Sequence, residues 1–242
     1  MRELEDHISV VTGAGSGIGK AIALALAARG SSLVLVGRRT APLEEVAATA
    51  RGSGAQARHY PADLSVEREV RELAAAIDRD FGRLDVLVHS AAIIRPGAVA
   101  DASVEDFDLH YRTNVLAPYL LTQTLLPLLR RQRGQVVFIN SSVAQAARAN
   151  ISQYAATKHA LKAIADSLRD EVNRDGIRVL SVYPGRTATP TQERLFADEG
   201  RAYQPDRLLQ AEDVAAMVVS AVSLPRTAEV TEIHIRPMMK FE

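Results

Sequence analysis

The sequence predicts a doubly wound α/β fold, a seven-stranded parallel sheet with helices on both faces, and three observations point to it. Short β-branched runs alternate with longer Ala- and Leu-rich helical patterns along the 242-residue chain, the order that βαβ units require. Several of these runs, such as Val86-Leu87-Val88 and Val136-Val137-Phe138-Ile139, are continuously apolar, as strands covered on both faces are. Gly30, Gly82, Gly134 and Gly176 stand at the ends of helical patterns, where a left-handed residue commonly closes a helix.

Taken in order, strands are expected at 8–12, 32–37, 55–60, 84–89, 135–141, 177–183 and 230–235, and helices near 17–29, 41–51, 66–81, 104–131, 152–174 and 211–223. Segment 186–210 is polar, mixed in charge and only partly helical in pattern. It reads as a lid or substrate loop inserted before the last helix, with a plain surface excursion as the alternative. No Pro/Ser/Gly-rich linker and no repeat of solenoid length interrupts the series, so 1–242 is expected to be one domain.

A hydrophobic content of 47% suits a substantial core. With 29 basic and 29 acidic residues the net charge is zero, which gives no electrostatic reason to seek nucleic acid or an anionic membrane. A small-molecule partner fits better. The absence of cysteine excludes disulfides, thiolate nucleophiles and cysteine-based metal sites. His7, His59, His89, His110, His159 and His234 form no i, i+4 pair, so no metal is expected. The N-terminal residues mix acids into the stretch where a secretory signal wants positive charge, and no apolar run reaches the roughly 18 residues of a membrane span. The expectation is a soluble, cytoplasmic protein.

The first strand runs into Thr12-Gly13-Ala14-Gly15-Ser16-Gly17-Ile18-Gly19 and then directly into a helix. Such a loop lets backbone N–H groups approach a pyrophosphate while the helix start offers partial positive charge. The alternative, ordinary turn glycines, is weakened by the strand–glycine–helix order. The second strand ends in Gly37-Arg38-Arg39, where an NAD-binding chain places an acid for the ribose hydroxyl. Two guanidinium groups there suit a 2′-phosphate instead, so NADP(H) is expected over NAD(H). The loop has the form T-G-x-x-x-G-x-G, and over nearly its whole length the chain resembles the short-chain dehydrogenase/reductase family, with its Rossmann-like fold.

That resemblance extends the cofactor-binding set to Ser16, Ile18, Leu64, Ala91 and Thr187. It implies that Asp63 holds the adenine amine, although an Asp there is equally a helix cap. It implies that Pro184, Gly185 and Thr189, in P-G-x-x-x-T, pack on the nicotinamide side. Ser90-Ala91-Ala92 stands where the family usually has Asn-Ala-Gly, which removes an amide that helps hold the sheet.

Tyr154 and Lys158 stand four apart in a helical pattern, about 5–6 Å apart at their Cβ atoms. An ammonium about 4 Å away is worth about 4 kcal/mol at an effective dielectric of about 20, enough to bring a phenol from a pKa of about 10 to about 7. By resemblance, Tyr154 is the general acid/base, Lys158 its partner and anchor of the nicotinamide ribose, and Asn114 bends its helix and holds a water leading to the lysine. Ser142 is taken as the active serine because it precedes Val143-Ala144. Ser141 stays open, since it has the family's spacing of thirteen residues from the tyrosine, against twelve for Ser142.

The resemblance implies an oxidoreductase interconverting a carbonyl and a secondary alcohol. An NADPH sensor without turnover and an NAD(H) dehydrogenase of a polar hydroxy compound are the alternatives. By position Ile93, Ile94, Arg95, Gln145, Arg148, Arg186, Phe196 and Tyr203 line the substrate pocket, and their arginines suggest an anionic or polar substrate. Ala156, Ala160, Ala163 and Ser167 form a small-residue stripe opposite the Tyr154–Lys158 face. With the family's habit of pairing through this helix, the expectation is a homodimer or homotetramer.

Overall fold

A computed structural model describes residues 3–239, so Met1, Arg2 and positions 240–242 of the expected unit lie outside the described residues. The chain runs β1 (Ile8–Thr12), α1 (Gly17–Ala28), β2 (Ser32–Gly37), α2 (Thr40–Gly52), β3 (Ala57–Pro61), α3 (Glu67–Phe81), β4 (Val86–His89), α4 (Val104–Tyr111), a π-helical turn (Arg112–Leu116) and α5 (Ala117–Gln132). It continues through β5 (Gln135–Ile139), α6 (Ser152–Val172), β6 (Arg178–Pro184), α7 (Pro190–Asp198), α8 (Ala211–Val222) and β7 (Glu232–Ile235).

The seven strands form one parallel sheet in the order β3-β2-β1-β4-β5-β6-β7, as the doubly wound expectation requires. One apolar cluster, including Ile22, Leu26, Leu43 and Val218, covers one face. Leu73, Ile77, Leu121, Leu125 and Leu161 cover the other. Val11 and Val137 belong to the first cluster, Val10, Val136 and Phe138 to the second. Period-2 alternation within a doubly covered strand explains why these runs carry no polar face.

Five strands differ from their expected bounds, β6 by a shift of one residue to Arg178–Pro184. β3 begins at Ala57 because Gly54 turns left-handed and the Ala55 N–H closes back onto Ala50 O. β4 begins at Val86, after the Leu84–Asp85 approach. β5 ends at Ile139, and just beyond it the Oδ1 of Asn140 captures the Ser141 N–H at 2.9 Å. β7 starts at Glu232. The expected helix 104–131 is interrupted by the π-helical turn at Arg112–Leu116, which shifts the apolar stripe by one residue without ending it. Segment 186–210 holds α7, so it is more helical than its composition suggests. Among the described residues no helix is long and apolar enough to cross a membrane, and no His/Asp/Glu cluster could hold a metal.

Candidate active site

Strand order reverses between β1 and β4, and in open parallel sheets the crevice outside the strand ends at such a point is where ligands sit. The glycine loop follows β1 there. Gly13 has φ +67°, and a Cβ on it would lie 2.9 Å from the backbone of Ala91. A Cβ on Gly19 would lie 2.4 Å from Gly13 O, so no side chain fits at either position. Gly17, at φ +53°, faces Thr189 Cγ2, 3.0 Å from where its Cβ would stand. The glycine loop, the loop after β4 and the start of α7 therefore converge on one place.

Ser16 precedes α1 in an extended conformation and makes no side-chain cap bond, and no acid occupies the helix's first turn. The first N–H groups are thus left for an external acceptor. Ile18 packs partly on the core, and Leu64 is buried. Arg38 and Arg39 follow β2, are exposed and form no ion pair among the described residues. Asp63 Oδ1 accepts from the backbone N–H of Ser65 at 2.9 Å and from its hydroxyl at 2.8 Å, so this carboxylate does serve as a turn cap. Gly185 packs against Pro237 and Arg236, Thr187 is buried and donates to Gly185 O at 3.0 Å, and Thr189 caps α7 by accepting the Gln192 N–H. Pro184 ends β6.

Sequence reasoning missed the work of Thr12. Its hydroxyl accepts the N–H groups of Ser90 at 3.0 Å and Ala91 at 3.1 Å and donates to Val88 O at 3.3 Å. That one side chain ties β1 to the loop that lacks the family's asparagine.

Tyr154 and Lys158 sit on the first turns of α6 with the ammonium 5.6 Å from the phenol ring centroid, so the two side chains converge. Lys158 is buried and donates from Nζ to Ile139 O at 2.9 Å. Burial pushes the Tyr154 phenol up to about 12, against the pull of a hydrogen bond with Ser141. Burial pushes the Lys158 ammonium down to about 8. The expected lowering of the phenol by the lysine is corrected here: in the protein alone, burial sets the direction and Lys158 does not act against it.

The serine expectation also changes. Ser141, at the extended residue after Asn140, meets the phenol, whereas Ser142 begins a short 3₁₀ turn. The Asn140 N–H still donates to Val182 O at 2.8 Å, and the chain turns away at Ser141, which the Val-Ala turn alone does not reveal. Asn114 lies in the π-helical turn, buried. Its Oδ1 accepts the Ile93 N–H at 2.9 Å, and its Nδ2 donates to Ile93 O at 3.0 Å and to Thr157 Oγ1 at 3.1 Å. Both amide hydrogens and one lone pair of the amide oxygen thus hold the loop after β4 to α6.

The expected substrate arginines are mostly neutralised. Arg95 pairs with Asp106. Arg186 forms a two-pronged pair with Glu199, 2.7 and 3.0 Å, and lies over the Phe196 ring. Phe196 is buried, with Tyr203 against its edge, so the two pack against each other within segment 186–210. Gln145 and Arg148 are exposed, and Arg148 forms no ion pair among the described residues. That segment reaches the loop after β4 through Arg194, which no sequence signal marked: its Nη2 donates to Ile94 O at 3.2 Å.

The family model described as short chain dehydrogenase matches residues 7–200. A sepiapterin reductase from Chlorobaculum tepidum is 37% identical over 239 residues, covering 96% of both chains. Among solved structures, an alcohol dehydrogenase from Thermococcus sibiricus complexed with 5-hydroxy-NADP superposes with a TM-score of 0.88 at 26% identity, covering 98% of both chains. A short chain dehydrogenase from Burkholderia cenocepacia in complex with NADP gives 0.86 at 31% identity, covering 96% of this chain and 97% of that one.

Proposed function

The chain belongs to the short-chain dehydrogenase family, and from that premise we propose that it is an NADP(H)-dependent oxidoreductase interconverting a carbonyl and a secondary alcohol, with Tyr154 as general acid and base. The observation that carries this reading is the meeting of Ser141, Tyr154 and Lys158 beside the crevice at the end of β5. A sensor without turnover would need only the glycine loop and Arg38.

The residues present fit the cofactor. The uncapped start of α1 and the Cβ-free positions Gly13 and Gly19 suit a pyrophosphate, and the unpaired Arg38 and Arg39 suit a 2′-phosphate. The NADP forms named with the Thermococcus and Burkholderia structures support the same choice. When bound, NADPH supplies the hydride. Tyr154, kept protonated by burial, donates a hydrogen bond and then its proton to the substrate oxygen. Ser141 stabilises the same oxygen as negative charge develops on it. Lys158, fixed by Ile139 O, carries positive charge beneath the phenol as it gives up its proton. With Arg95 and Arg186 already paired, a neutral carbonyl compound is the better substrate class than an anion.

The test is NADPH oxidation followed by absorbance across a panel of neutral ketones and aldehydes, sepiapterin among them. Tyr154→Phe should keep NADPH binding and lose about 10²- to 10⁴-fold in turnover; turnover near wild type would remove Tyr154 from the mechanism. For assembly, Ala156, Ala163 and Ser167 are exposed on α6 and Ala160 half-buried, which supports pairing into a dimer or tetramer. Light scattering that finds only monomer at micromolar concentration overturns it.

A further inference from the structure

His110 is buried at the end of α4, and both of its ring nitrogens are engaged by backbone. Nδ1 meets Asp106 O at 2.6 Å, and Nε2 meets the Arg95 N–H at 3.0 Å. A carbonyl only accepts and an amide only donates, so these two partners fix the neutral tautomer with its proton on Nδ1. A second ring proton would face the Arg95 N–H donor to donor, and the bond to the loop would be lost.

The loop it holds is the wall of the crevice after β4. Ile93 is gripped at N and O by Asn114, Gly97 N–H donates to Asn150 O at 2.7 Å, and Ile94 O receives Arg194 of α7. Asn114 also donates to Thr157 Oγ1, which itself donates to Tyr154 O at 2.7 Å. The wall is therefore linked through two hydrogen bonds to the helical turn that carries the tyrosine. Arg95 is the residue at which this wall leans on α4, through its N–H to His110 and its guanidinium to Asp106.

We propose that His110 is a positioning residue for substrate: its neutral ring fixes Arg95 and holds wall 93–97 in register with Tyr154, and its protonation releases that wall and weakens substrate binding. The proposal rests on the reductase reading above. The charged groups that act on the ring are Asp106 of α4 and Arg95 of the loop, and burial dominates both, holding the imidazole below its usual range. Sign follows from this: the unfolded or released state takes the proton first, so the wall is secure above about pH 6.5 and loosens as pH falls below it.

The experiment follows amide hydrogen exchange at Arg95, corrected for intrinsic rate, in the NADPH-saturated protein at about pH 7.5 and about pH 5.5. Wild type should lose about fivefold of its protection at the lower pH, the worth of one hydrogen bond. His110→Leu should show the low protection at both values, and His110→Gln, which does not titrate, should show no pH dependence. With the carbonyl found by the NADPH screen, KM should rise as wild type is acidified while kcat holds, and His110→Gln should remove that rise. Protection at Arg95 that is unchanged by pH in wild type, or equal in wild type and His110→Gln at both values, overturns the proposal. NADPH fluorescence in the same samples reports cofactor binding separately. Failure to bind NADPH counts against the reductase reading, while the exchange data still decide the role of His110.

Discussion

The two sides of the crevice treat their backbone groups differently. On the cofactor side α1 and α2 begin at Ser16 and Arg39 without side-chain caps and without an acid in their first turns. Across the crevice Ser103 caps α4, and Thr189, which also faces Gly17, caps α7, while α6, the helix of Tyr154, begins at Ile151 without a side-chain cap. The arginines differ more sharply: among the described residues Arg38 and Arg39 are unpaired, whereas Arg95 and Arg186 are matched to Asp106 and Glu199. One side keeps donors and positive charge available to an anion, and the other has satisfied most of its own. On the proposed reading, charge would select the cofactor and shape the substrate.

The largest expected effect lies where the self-satisfied half keeps one group for chemistry. Ser141→Ala should lower turnover about 10²- to 10³-fold, as loss of an oxyanion donor does, while Ser142→Ala should cost far less. Equal losses in the two variants would break the assignment of Ser141. Next, Arg38→Asp should weaken NADPH relative to NADH about 10- to 100-fold, the worth of a charge-assisted contact turned repulsive. Competitive titration of the two cofactors measures this, and an unchanged ratio would place the reserve of charge elsewhere.

The smallest effect, read per unit of pH, concerns the floor between the halves. His89 is buried at the end of β4, stacks on Phe138 at 5.0 Å and shares a 2.8 Å hydrogen bond with Thr122. Burial pushes its imidazole down to about 3. Because the unfolded chain protonates first, stability should fall as pH drops from about 6.5 toward 3, by about 1.4 kcal/mol per unit. Denaturant titrations at several pH values, compared with His89→Gln, read that slope; parallel curves for the two proteins would contradict it.

What was legible in the sequence was local. The glycine loop and the Tyr154–Lys158 pair are each written within one strand–helix or helix segment, so spacing alone places them. The parallel sheet was legible because doubly covered strands need continuous apolar runs. The serine was legible only as two candidates, Ser141 by its spacing and Ser142 by the Val-Ala turn, because the register depends on where Asn140 turns the chain. The charge state of the pocket was not, because a run of arginines shows cations and not the partners that fold to meet them: Arg95 finds Asp106 on α4, and Arg186 finds Glu199 beyond α7. His110 lacks any pattern at all, since its two partners become neighbours only when the loop after β4 lies along α4.

The π-helical turn at Arg112–Leu116 has a consequence for length variation in this chain. A wide turn of this kind accommodates one residue more than an α-helical turn does. Removing a single residue there would close the turn to a regular α-helix and leave α4 and α5 in their present phase, because the extra residue is what the wide turn absorbs. What such a deletion would disturb is the place of Asn114, whose amide in that turn holds both backbone groups of Ile93. The fold would stand, and the wall of the crevice would slacken at Ile93.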